Sequence, residues 1–172
     1  MERPVRKPNR LREYDYSQPG CYFVTICTKE RRPLFWAEDV PDTSVGADII
    51  RPRPILLSKL GLVVEHAILE MPRRYANVTL DQYVIMPNHV HILLTLGDQN
   101  GRMISAPTKG LPIVVGQMKR TVSKQAHMDI WQKGYHDHVV RNDADYLRIW
   151  DYMETNPAKW REDRYYCPEE GR

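Results

Sequence analysis

The chain is predicted to fold as an α+β domain, a ferredoxin-like antiparallel sheet with helices packed on one face. Three observations lead there. Several runs are rich in the aromatic and β-branched residues that suit a pleated surface. Between them lie runs whose apolar residues recur three and four apart. Their order is strand, helix, two strands, helix, edge strand, helix, the layering of a sheet whose crossovers are helical. At 172 residues the chain suits a single domain spanning 1–172. Within it, 1–12 reads as a basic arm, 37–54 as a loop or insertion and 161–172 as a charged tail.

The first strand is Cys21-Tyr22-Phe23-Val24-Thr25-Ile26-Cys27-Thr28, entered from a Pro19-Gly20 turn. Pro41, Gly46, Pro52 and Pro54 then break any sustained period. Ser58 is a good N-cap, and Leu60, Val63, Val64, Ala67, Ile68 and Met71 follow at helical spacing up to Pro72. Two β-rich runs, 77–86 and 89–96, flank Pro87-Asn88 and predict an antiparallel pair. Ile113, Val114, Met118, Val122 and Ala126 mark a second amphipathic helix, whose other face carries Lys119, Arg120 and Lys124. Short strands around Gly134 precede Asn142-Asp143, a helix-start signal. The third helix should run to about Asn156, because Pro157 cannot continue it.

Composition narrows the classes. With 42% hydrophobic and 27% charged residues the profile is that of a soluble globular protein. No apolar run approaches the ~20 residues needed to span a bilayer, and no apolar stretch follows Met1 as in a secretory signal. The expected address is the cytoplasm, with no membrane partner. Cys21, Cys27 and Cys167 are too few and too scattered for a disulfide framework or a Cys-x-x-Cys zinc site. The net charge of +3 does not by itself demand nucleic acid. Its distribution is more telling: Arg3, Arg6, Lys7, Arg10 and Arg12 face only Glu2 in the arm. That arm and the Lys119, Arg120, Lys124 face could follow a phosphate backbone.

Two places carry candidate chemistry. His89 and His91 are two apart on a strand, so both imidazoles point to one side while Val90, Ile92 and Leu94 point to the other. Two neutral imidazoles with an oxygen ligand suit a divalent ion. On the third helix, Tyr146, Ile149, Trp150 and Met153 form the stripe that packs on the sheet, with Tyr152 at its margin. Spacing of four sets the Tyr152 phenol beside the Asn156 amide. A phenol of pKa near 10 is a poor nucleophile at neutral pH. A divalent ion polarising a phosphodiester would lower the demand on it. Tyr146 is the rival nucleophile, but Trp150 stands where the amide would be. His136 and His138 form a second His-x-His, and Asp137 and Glu154 are candidate acceptors behind the site.

Four segments together resemble the REP-associated tyrosine transposases, relatives of the single-strand insertion-sequence transposases in the His-hydrophobic-His nuclease superfamily. They are Arg10-Leu11-Arg12-Glu13-Tyr14-Asp15-Tyr16-Ser17-Gln18-Pro19-Gly20 leading into Tyr22-Phe23-Val24-Thr25-Ile26-Cys27; Met86-Pro87-Asn88-His89-Val90-His91; Trp131-Gln132-Lys133-Gly134-Tyr135-His136-Asp137-His138; and Tyr152 with Asn156-Pro157. The resemblance implies that His89, His91 and Asn156 hold a divalent metal, Mg or Mn, and that Tyr152 is the nucleophile. It also implies a transesterase that cleaves and rejoins single-stranded, hairpin-forming DNA through a 5′-phosphotyrosine, working as a monomer or a homodimer. Insertion-sequence relatives often carry glutamine where Asn156 stands. Two alternatives remain open. One is a nonenzymatic single-stranded nucleic-acid binder on the same sheet; the other is a metal-dependent hydrolase using water, for which Tyr152 would be dispensable.

Overall fold

The computed structural model describes residues 14–37, 56–97 and 110–167. The basic arm with Arg3, Arg6, Lys7, Arg10 and Arg12 lies outside the described residues, as does nearly all of the segment expected to be a loop. Four strands, β1 (Gly20–Cys27), β2 (Val78–Ile85), β3 (His89–Leu96) and β4 (His136–Val140), form one sheet in the order β2-β3-β1-β4. Every neighbouring pair is antiparallel. The α+β class expected from the sequence is the class observed, and the 77–86 and 89–96 runs pair as predicted.

Helices α1 (Lys59–Leu69), α2 (Met71–Arg74) and α3 (Leu111–Ala126) connect the strands, and α4 (Asp143–Thr155) follows β4. Local chemistry sets their ends. The Ser58 hydroxyl accepts from the Gly61 amide at 3.0 Å and donates to the Leu34 carbonyl at 2.6 Å, capping α1 and tying it to the chain after β1. Gly61 must lack a side chain, since a Cβ there would run into the Phe35 carbonyl. Asn142 caps α4 by accepting from the Asp145 amide at 2.9 Å. α3 starts two residues before its first predicted apolar position because Pro112 is tolerated in a first turn.

Alternation along β3 splits the protein into two layers. Val90, Ile92, Leu94 and Leu96 join Val24 and Ile26 against Val64, Ile68, Val114, Val115, Met118 and Val122. Leu93 lies on the other face with Val84 and Met86, covered by Ile149 and Met153 of α4. The placement of helices on one face therefore holds for α1 and α3 and is corrected for α4. Its apolar stripe is as predicted, but a stripe says only that a helix packs, not on which side. β1 and β3 fill the centre of the sheet, so the histidine-bearing strand is rigid on both edges. Among the described residues no helix is long and apolar enough to cross a membrane.

Candidate active site

His89 and His91 open β3 on the face that α4 covers, and both are buried, at 0% and 1% exposure. Their Nε2 atoms lie 3.0 Å apart. Asn88, in the bend before β3, orients the first ring. Its Nδ2 donates to the Arg31 carbonyl at 3.1 Å and to the Tyr165 carbonyl at 2.8 Å, which leaves Oδ1 facing Nδ1 of His89 at 2.9 Å. An acceptor there requires a proton on Nδ1, so the neutral ring turns a bare Nε2 lone pair inward. On the second ring, Nδ1 of His91 meets the Thr25 hydroxyl at 2.8 Å, across the β1–β3 pair.

Burial decides the charge of these rings. It pushes His89 down to about 4, although the Asp163 carboxylate pulls the other way. His91 is held well below the ordinary imidazole value by burial and by the charge His89 would carry. Both are neutral near pH 7, the form that binds a metal.

The phenol of Tyr152 reaches the pair from α4. Its hydroxyl stands 3.3 Å from Nε2 of His91 and donates to Oδ2 of Asp163 at 3.2 Å. Tyr152 is 37% exposed, so a side chain in contact with buried His91 also reaches the surface. Burial, followed by the charge and hydrogen bond of Asp163, pushes the phenol up to about 12. It is fully protonated at neutral pH. The phenol opens into a cavity of about 450 Å³ lined by Phe23, His136, His138 and Arg148 among others.

Ligand atoms of His89, His91 and Asp163 all lie within 4.8 Å of one another, close enough to share one ion. The donor set fits a divalent cation: two neutral imidazoles supply nitrogen, and a carboxylate supplies oxygen and charge. The outward His89 N–H is held by an amide oxygen, as metal-bound imidazoles usually are. Asn156 follows Tyr152 by one turn, its backbone N–H donating to the Tyr152 carbonyl. Its side chain is 3% exposed, and Nδ2 has no hydrogen-bond partner.

Asp163 was not among the residues singled out from the sequence. After a 3-10 turn at Asn156–Glu162, the described start of the segment read as a charged tail folds over the histidines. Tyr165, 3% exposed, packs at a tilt against His89 with ring centres 4.6 Å apart. The Tyr165-Tyr166 pair was the one hint that this tail packs.

The α3 cations belong elsewhere. They lie in the layer across the sheet from Tyr152, where Lys119 and Arg120 line a groove with Lys29 and Lys133. Lys119 is half-buried and donates to the Gln132 and Gly134 carbonyls at 2.8 and 2.6 Å. Lys124 is exposed, as is Arg120, which donates to Gln117. Tyr146 packs on Trp150 rather than on the histidines.

No protein-family model matches the chain. A Haemophilus influenzae protein of uncharacterised function is 30% identical over 179 residues, covering 94% of this chain and 93% of its own length. The REP-associated tyrosine transposase of Escherichia coli is 26% identical across 84% of this chain and 70% of its own. A solved structure, the REP-associated tyrosine transposase bound to a REP hairpin, shares the fold with a TM-score of 0.59 at 22% identity, over 88% of this chain and 73% of that one. Over most of its length the chain is similar to REP-associated tyrosine transposases.

Proposed function

We propose that the protein cleaves and rejoins single-stranded, hairpin-forming DNA of the REP type, with Tyr152 as nucleophile. One observation carries the reading: the hydroxyl of the partly exposed Tyr152 stands 3.3 Å from a buried imidazole of the histidine pair. The names of the relatives and the REP hairpin of the structural neighbour favour the same substrate.

A divalent ion, Mg or Mn, held by His89 and His91 with an oxygen from Asn156 or Asp163, would polarise the scissile phosphate and offset the charge building on its oxygens. The residues themselves divide the remaining work. Oη of Tyr152 attacks phosphorus, the bond to the 3′ oxygen breaks, and that oxygen leaves as a 3′-hydroxyl after taking a proton. The phenolic proton passes to Oδ2 of Asp163, which already accepts its hydrogen bond. The strand is left as a 5′-phosphotyrosine. Attack on it by another 3′-hydroxyl reverses the step and joins two ends without an external energy source. Phe23, stacked on His91 with centres 5.1 Å apart and edge-on to Tyr152, forms one wall beside the reacting ring. In the arm and on the far helix face, Arg3, Arg6, Lys7, Arg10, Arg12, Arg120 and Lys124 would hold the folded strand's backbone.

The test is a covalent adduct. Hairpin oligonucleotides labelled at either end are incubated with Mg or Mn and run under denaturing conditions. The label 3′ of the cut should travel with the protein, and Tyr152→Phe should remove it. A Tyr152→Phe protein that still cuts would instead identify a hydrolase, and DNA bound but uncut with either metal would identify a binding module.

A further inference from the structure

The second His-x-His has no part in the chemistry above, yet it lies on the same side of the sheet. His136 pairs with Thr25 and His138 with Phe23 across β1 and β4, so these side chains flank the cavity beside Tyr152. His89, His91 and Asp163 are the group close enough to share an ion among the described residues, and neither His136 nor His138 belongs to it. The cavity they flank lies beside that group, with His91 and Tyr152 in its lining.

Its lining has two characters. Phe23 and Ile149 are apolar, and Phe23 sits next to both His91 and Tyr152. Arg148 and Arg164 bring two guanidinium groups to the wall, with Asp137 also in the lining and the Asp145 and Asp163 carboxylates beside it. Asp145 accepts from His138 and from Arg148, each at 2.6 Å, and so sets Arg148 at the rim. Arg164 lies over the Tyr165 ring, 4.5 Å from its centre. About 450 Å³ is too small for a duplex and is within the range of pockets that take a single small ligand. An apolar ring beside two arginines matches one nucleotide, with a base to stack and a phosphate to bind.

Resting on the reading of Tyr152 as nucleophile, we propose that this cavity seats the nucleotide adjoining the scissile phosphate. Its base lies against Phe23 and Ile149, and its own phosphate lies between Arg148 and Arg164. The strand thereby enters the site from the β4–α4 side.

The experiment uses the full chain carrying Tyr152→Phe, which binds without forming an adduct. The probe is a fluorescein-labelled hairpin oligonucleotide with mixed-sequence single-stranded tails, carrying 5-iododeoxyuridine at successive tail positions. After irradiation, one position should crosslink to Phe23 or His138. Adding Arg148→Ala or Arg164→Ala should lower the slope of log affinity against log salt by about one each, as loss of one phosphate contact does. Arg73→Ala, on the far helix layer, should leave that slope unchanged. Crosslinks confined to the Lys29–Arg120 groove, or a slope unmoved by Arg148→Ala, would overturn the proposal. Adduct formation by the protein with Tyr152 intact is scored separately, so failure of the cavity and failure of the nucleophile read differently.

Discussion

Asn88 holds His89 through a single amide oxygen, 2.9 Å from Nδ1, while its nitrogen grips the Arg31 and Tyr165 carbonyls. One buried side chain thus joins the turn after β1, the start of β3 and the C-terminal segment. Asn88→Ala should weaken Mn binding about 10- to 100-fold by freeing the imidazole to rotate or change tautomer. It should also cost about 1–3 kcal/mol of stability, since buried polar groups lose their partners. Calorimetric titration and urea unfolding read the two effects, and unchanged metal affinity would refute the orienting role.

The histidine pair gives the metal-free protein a pH signature. The pKa of His89 lies near 4 in the folded state and His91 is likewise depressed, against 6.5 for an ordinary imidazole. As pH falls below 6.5 the unfolded chain takes up protons that the folded chain refuses, so the native state loses ground. Stability should be flat with respect to this pair above about pH 7 and decline toward pH 4, by up to about 1.4 kcal/mol per pH unit for each ring. Urea unfolding with chelator across that range checks it. A flat profile between pH 6.5 and pH 4 would mean the rings are not buried as neutral bases.

Asp163 acts on Tyr152 through charge and a hydrogen bond, both of which raise the phenol beyond what burial does. Asp163→Asn removes the charge, so phenolate should appear at lower pH. NMR of ring-labelled tyrosine, assigned with Tyr152→Phe, measures the shift. The same variant should bind Mn more weakly if the carboxylate contributes to the ion. A phenol titrating as before would show that burial alone sets its value.

Lys119 and Lys124 share a helix but should behave oppositely. Lys119→Ala leaves the Gln132 and Gly134 carbonyls without their ammonium donor and should cost about 1.5–3 kcal/mol, as hydrogen bonds to charged groups do. Lys124→Ala should leave stability unchanged and reduce the salt slope of DNA binding by about one if it meets a phosphate. Thermal unfolding and anisotropy separate the cases.

Residues with a strict local rule were legible in the sequence. Alternation marked β3 to the residue, and the Ser58 and Asn142 caps form the hydrogen bonds their positions call for. The Ile149 and Met153 stripe packs as its spacing requires. What escaped has no local rule. Nothing in the period of α4 distinguishes the two faces of the sheet. Asp163 meets the histidines only because the chain turns back after Asn156, in a stretch without periodicity. Lys119 reads as a solvated cation on a helical wheel, yet its ammonium is spent on a neighbouring loop.

A single chain carries both the helix with the phenol and the strand with the imidazoles, and it brings them into contact across 61 positions. Strand cutting by such a unit should rise in simple proportion to the amount of enzyme and persist on dilution. Blending a Tyr152→Phe protein with a His91→Ala protein should rescue nothing if each copy works with its own phenol and imidazoles, and restored cutting would point to sites shared between two copies.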